Sequence, residues 1–151
     1  MTRRSERLGK SGEYLVCSVL SMYSDSVSII PHSSHADLIF EYENKLYKCQ
    51  VKTTSKKQKV ISKHTGKSYR ANYKVEFRRG SHTKNREYKK GQIDIFAVVI
   101  YPKNKVIFIP ANIKKNSVRF SDKEIEEIST GQSLKDSIQQ ILNTDPVSVK
   151  D

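Results

Sequence analysis

His35-Ala36-Asp37-Leu38-Ile39-Phe40-Glu41-Tyr42 and Leu46-Tyr47-Lys48-Cys49-Gln50-Val51-Lys52-Thr53 are two runs rich in β-branched and aromatic residues, separated by a polar stretch around Asn44. That pattern predicts two strands joined as a hairpin. Side chains alternate along a strand, so Leu46, Lys48, Gln50 and Lys52 share one face while Tyr47, Cys49 and Val51 take the other. A two-residue turn at Glu43-Asn44 sets Asp37 across from Gln50, and one at Asn44-Lys45 sets it across from Lys52. Either register gathers a carboxylate, an amide and an ammonium. A loop one residue longer or shorter would carry Asp37 opposite Val51 and scatter the group.

Asp37 and the amide oxygen of Gln50 form a hard oxygen set suited to Mg²⁺, which prefers oxygen and keeps several waters. Lys52 beside them would put positive charge where a phosphorane forms, and could help position an attacking water. This is equipment for phosphodiester hydrolysis. By residue type alone, a solvated hairpin face would look the same.

The run Asp37-Leu38-Ile39-Phe40 followed by Tyr47-Lys48-Cys49-Gln50-Val51-Lys52-Thr53 resembles the PD-(D/E)XK nuclease superfamily, in which an Asp on one strand precedes an acid-x-Lys triplet on the next. With Gln at the acid's place, the wording is most similar to the branch of group I intron homing endonucleases and relatives of archaeal Holliday-junction resolvases. Gly91-Gln92-Ile93-Asp94-Ile95-Phe96-Ala97-Val98-Val99-Ile100-Tyr101 and Lys105-Val106-Ile107-Phe108-Ile109-Pro110 also resemble later strands of that branch, so the likeness runs over roughly residues 9 to 110. It implies an α/β fold with a central mixed sheet flanked by helices, into which the charge pattern described next places an inserted basic β-ribbon region. It implies DNA cleavage with Mg²⁺ or another divalent cation such as Mn²⁺. It also implies a role for Glu13 on the first helix, which the residues alone would not single out. By resemblance, Asp37, Gln50 and Glu13 are the metal-ligating set, and Lys52 completes the catalytic one. Gln50 departs from the family's usual acid. It removes a negative charge from the pocket, so metal binding leans on Asp37, Glu13 and a backbone carbonyl near Val51.

Charge points to the same partner. The 151 residues carry a net +12. Residues 1–47 hold five basic against six acidic residues and residues 91–151 hold eight of each, while residues 48–90 hold fifteen Lys or Arg against Glu76 and Glu87. The whole excess lies in the middle third, directly after the hairpin. A polyanion is the expected partner, namely double-stranded DNA, with Lys56, Lys57, Lys63, Lys67, Arg70, Tyr73, Lys74, Arg78, Arg79, Lys84, Arg86 and Lys89 as candidate contacts. Tyr73-Lys74-Val75-Glu76-Phe77 alternates as a strand does, and a basic ribbon fits a major groove. Charge runs are more often solvated loops; the size and place of this one favour DNA. Engaging about six to eight of these cations would give a slope of log K on log salt of about −5 to −7.

Cys17 and Cys49 sit in apolar periodic segments and read as buried thiols. His32 and His35 stand close to Asp37 and suit DNA contact or a surface loop equally. Gly9-Lys10-Ser11 ends like a phosphate loop but lacks the leading glycine and a preceding strand. The absence of an apolar leader or a run long enough to span a bilayer suggests a soluble, cytoplasmic protein.

The remaining pattern predicts one domain over residues 1–151: a core of about 5–55 and 91–120, the basic insertion at about 56–90, and C-terminal helices at about 121–143. Leu8, Leu15, Val16, Val19, Met22 and Tyr23 trace a first amphipathic helix over about residues 5–23. Val27-Ser28-Ile29-Ile30 reads as a short strand, and Ile93 to Tyr101 as a strand covered on both faces. Asp94 reads as structural or capping. Ser121-Asp122-Lys123-Glu124 has the form of a capping box, Gly131 reads as the end of that helix, and Leu134, Ile138, Ile141 and Leu142 mark the next. These last helices are candidates for a subunit interface. Cutting both strands of a duplex calls for two active sites, hence a homodimer or homotetramer. A junction resolvase and a non-catalytic DNA- or RNA-binding protein are the competing readings.

Overall fold

The computed structural model describes residues 3–31, 35–77, 88–89 and 91–144. The elements run α1 (Arg3–Leu20), β1 (Val27–Ile29), β2 (Leu38–Tyr42), β3 (Lys45–Thr54), β4 (Lys57–Ile61), β5 (Ser68–Glu76), β6 (Ile95–Ile100), β7 (Lys105–Pro110), β8 (Ser117–Phe120), α2 (Asp122–Glu127) and α3 (Thr130–Thr144). Five strands form a mixed sheet in the order β1-β2-β3-β6-β7, with β3 and β6 parallel and the other neighbours antiparallel. The mixed α/β core is therefore the one the sequence predicts.

Two apolar layers sandwich this sheet. On one face Val16 and Leu20 of α1 and Leu134 and Ile138 of α3 pack against Leu38, Phe40, Cys49, Val51, Ile95, Ala97 and Val99. On the other, Phe96, Val98 and Ile100 meet Tyr73, Val75, Phe77, Phe120 and Ile125. Every residue of β6 is thus buried, which is why its sequence is a continuous apolar run without alternation. The second layer rests on a separate three-stranded sheet, β4-β5-β8, antiparallel throughout. The basic ribbon predicted from composition is present as β4 and β5. Its third strand, β8, comes from beyond the insertion and carries no strong local signal.

Several expectations are corrected. Helix α1 stops at Leu20, and Met22 is 82% exposed instead of continuing the apolar stripe. Cys49 is buried, whereas Cys17 is only half-buried. The capping box at Ser121 and Glu124 forms, but α2 ends at Glu127, and Gly131 lies in the first turn of α3. A Cβ on Gly131 would lie 2.8 Å from the Tyr23 hydroxyl, so the small residue serves close packing and not helix termination. Ile125 of α2 and Leu134, Ile138 and Ile141 of α3 face the two cores of their own chain, whereas Leu142 is 38% exposed.

Helix α1 also approaches the sheet at a glycine. A Cβ on Gly12 would stand 2.0 Å from Thr53 Oγ1 and 3.1 Å from Thr53 Cβ. Gly12→Ala is expected to destabilise the protein by about 1–3 kcal/mol through overpacking, read as a lower urea midpoint. A midpoint unchanged in Gly12→Ala would mean that α1 does not need this close seat.

Candidate active site at the α1–β2–β3 junction

The hairpin turn sets the geometry. Glu43 and Asn44 both have positive φ, 48° and 66°, the conformation of a two-residue turn that matches strand twist. It pairs Tyr42 with Lys45 and Leu38 with Cys49. Continuing that register by one residue puts Asp37 across from Gln50, the first of the two predicted registers. The Asp37 N–H donates to the Cys49 carbonyl at 2.8 Å, and its Oδ2 accepts from the Val51 N–H at 2.8 Å. The carboxylate is thereby fastened to the backbone of the strand that carries Gln50 and Lys52. Asp94 does the same for the neighbouring pair: its Oδ2 accepts from the Lys48 N–H at 2.8 Å and its N–H donates to the Lys48 carbonyl. That is the structural role expected of it.

Glu13 reaches this point from α1. Its side chain is only 14% exposed, forms an ion pair with Lys10 at 3.4 Å, and lies within hydrogen-bonding range of the Asp37 carboxyl. The Gly12–Thr53 approach and a 2.8 Å hydrogen bond between Ser11 and Tyr101 fix the helix there. An open groove lined by Arg3, Arg7, Lys10 and Glu13 leads along the start of α1.

Asp37 has its pKa pushed up to about 6, first by burial and further by the neighbouring Glu13 charge; the Val51 N–H and the Lys52 ammonium pull the other way. Two carboxyl groups crowded in a partly dry site favour a cation or a proton between them. On β3 the alternation is as predicted, with Tyr47, Cys49 and Val51 buried and Lys48, Gln50 and Lys52 half-buried. The structure therefore joins Glu13, Asp37 and Lys52 electrostatically, and sets Gln50 across from Asp37. Among the described residues no group of three or more His, Cys, Asp or Glu side chains could hold a metal ion. The set expected from the sequence is two carboxylates and one amide, all oxygen, a chemistry that would suit a hard divalent cation held with reduced charge.

Lys52 has a partner that sequence reasoning did not connect to it. Its Nζ donates to the Tyr88 hydroxyl at 3.2 Å and lies 5.4 Å from the centroid of that ring. The ring in turn meets Phe96 edge-on. Tyr88 was visible only as one aromatic among the basic residues, 36 positions away in the chain. Tyr88→Phe keeps the ring and removes the hydroxyl. It is expected to slow single-turnover cleavage by about ten- to a hundredfold, since a hydrogen bond to a charged group is worth about 1.5–3 kcal/mol, while duplex affinity stays within about twofold. An unchanged rate would detach Tyr88 from the chemistry.

The candidate DNA contacts divide. Lys56, Lys57, Lys63, Lys67 and Lys89 are exposed. Lys57 pairs with Asp122 at 2.5 Å and lies over the Tyr73 ring. Tyr73 is 5% exposed and belongs to the second core, which corrects its reading as a DNA contact: strand alternation turns it inward. Lys74 is half-buried, with Glu76 at 3.6 Å. Arg70 lies on β5. Arg78, Arg79, Lys84 and Arg86 lie outside the described residues, as does His32; His35 is exposed.

A PD-(D/E)XK endonuclease family matches residues 6–135, so the chain belongs to that family and is a nuclease by class. No curated protein sequence matches it. Its fold is similar to that of the bacterial homing endonuclease I-Ssp6803I, with a TM-score of 0.61 and 18% identity over 93% of this chain and 97% of that one. Among the described residues no helix is long and apolar enough to cross a membrane.

Proposed function

We propose that this nuclease is a divalent-cation-dependent, sequence-specific endonuclease of double-stranded DNA, homing-endonuclease-like, working as a homodimer or homotetramer so that each strand meets one site. The observation that carries this is the convergence of Glu13 and Lys52 on Asp37, whose carboxylate is tied to the Val51 N–H between Gln50 and Lys52. Asp37 and Glu13, with the amide oxygen of Gln50, would hold Mg²⁺ or Mn²⁺. When bound, the cation supplies Lewis-acid stabilisation of charge on the scissile phosphate.

The protein's own groups do the rest. Lys52, oriented by Tyr88, sets a fixed positive charge where the phosphorane gathers negative charge. Glu13, largely shielded from solvent, accepts a hydrogen bond from the attacking water and aligns it with the phosphorus. The exposed lysines of the insertion neutralise phosphates and hold the duplex against the hairpin. Gln50 contributes a dipole in place of the usual charge, which lowers cation affinity and lessens the repulsion on Asp37 and Glu13.

The test is cleavage of a plasmid library carrying randomised sites, with Mg²⁺ and with EDTA, beside a four-way junction. Linearisation of particular plasmids in Mg²⁺ alone is the expected result. Preferential cutting of the junction would assign a resolvase. Salt-sensitive binding without cleavage under any divalent ion would assign a non-catalytic binder.

A further inference from the structure

Tyr73, Val75 and Phe120 turn inward from the small sheet, with exposures of 5%, 6% and 8%. Side chains alternate along each strand, so the residues next to them in sequence point outward. On β5 these are Asn72 and Lys74. The register pairs Asn72 with Gln58 of β4 and Lys74 with Arg119 of β8. Four side chains therefore share the outer face on two alternate rungs, either side of the inward Tyr73. By ordinary sheet spacing they occupy a patch roughly 7 Å by 10 Å.

The choice of residues is costly as mere surface. Like charges placed directly across a ladder destabilise it, and Lys74 and Arg119 are such a pair. Glu76 stands beside the lysine at 3.6 Å. The four types are also those that read base edges: Arg and Lys pair with guanine, Asn and Gln with adenine. Only Ser55 and Lys56 separate β3 from β4, so this face is tethered two residues beyond the strand that carries Lys52.

We propose that the outer face of the β4-β5-β8 sheet enters the major groove and reads sequence through Gln58, Asn72, Lys74 and Arg119. The exposed Lys56, Lys63 and Lys67 around it grip phosphates. This rests on the DNA-endonuclease reading and names its specificity determinants. Arg119 lies outside the basic insertion and so escapes any count of local charge.

The experiment is selection from a randomised duplex library with the full-length protein in EDTA, comparing wild type with Arg119→Ala, Arg119→Lys, Asn72→Ala and Lys56→Ala. Each variant is checked for an unaltered melting temperature. The wild type should select a defined motif. Arg119→Ala should lose about tenfold or more of its discrimination at a guanine position, and Asn72→Ala likewise at an adenine. Arg119→Lys, which keeps charge but not the fork, should lose part of the guanine preference even if the alanine variant does not fold. Lys56→Ala should weaken all sequences alike and reduce the salt slope by about one. Wild-type motifs returned by Arg119→Ala, Arg119→Lys and Asn72→Ala, or no motif selected by the wild type, overturn the reading face. If the motif relaxes as expected but no duplex is cut in Mg²⁺, the face stands and the endonuclease assignment falls. Intact cleavage with motifs unmoved removes the face alone.

Discussion

Asp37→Asn is expected to melt at a higher temperature than wild type at pH 8 and to cut no DNA. The Asp37 carboxyl has its pKa raised from 3.8 to about 6 on folding, so the folded protein holds this proton more tightly than the unfolded chain. The stability it contributes is present below pH 3.8, declines as pH rises toward 6, and is gone above that. A shift of about two pKa units corresponds to about 3 kcal/mol; partial exposure reduces the effect to about 1–2 kcal/mol. Asparagine does not titrate and can still accept from the Val51 N–H, so the gain should appear at pH 8 and vanish at pH 4. Urea unfolding at both values checks it, and equal differences at the two pH values would refute the buried-carboxylate account. The same variant should lose any Mg²⁺-dependent rise in melting temperature that the wild type shows. Its cleavage should fall by about a thousandfold or more, on the scale of losing a principal electrostatic group. In the wild type, cleavage should decline as pH falls below about 6, because the proton then competes for the carboxylate.

Lys52→Ala is expected to reduce single-turnover cleavage by about a hundred- to a thousandfold, the range found when one preorganised charge-stabilising group is removed. Duplex affinity should stay within about threefold, since one cation among many sets the salt-dependent term. Lys52→Arg should not restore the rate. The planar guanidinium is larger and cannot take the place of a compact ammonium seated 3.2 Å from the Tyr88 hydroxyl. Undiminished cleavage in Lys52→Ala would remove the proposed mechanism, whatever the behaviour of Asp37→Asn. Loss of duplex binding in step with cleavage would instead make Lys52 a DNA contact.

The hairpin and its cluster were legible because strand alternation is local. Asp37, Gln50 and Lys52 lie within 16 residues, and only the turn length stood between two registers. The backbone at Glu43 and Asn44 decides it. Glu13 was legible only through resemblance, since a glutamate on a helix carries no mark of what it faces. Tyr73 was misread for a related reason: an aromatic among lysines looks like a stacking platform until the strand's inward face is known. Tyr88 and Arg119 were missed because their partners lie 36 and 45 positions away in sequence, on elements whose pairing no local pattern announces.

By itself the sequence determined the period of each strand, the apolar stripes of the helices, the chemistry on offer in the hairpin and the location of the excess charge. All of these follow from residue type and spacing along the chain. The tertiary structure alone decided that Glu13 comes to Asp37, that Tyr88 holds Lys52, and that β8 completes a second sheet beside the basic ribbon. These depend on which surfaces bury one another: the two apolar faces of the central sheet draw α1 to one side and the small sheet to the other, and polar groups far apart in sequence become neighbours as a result.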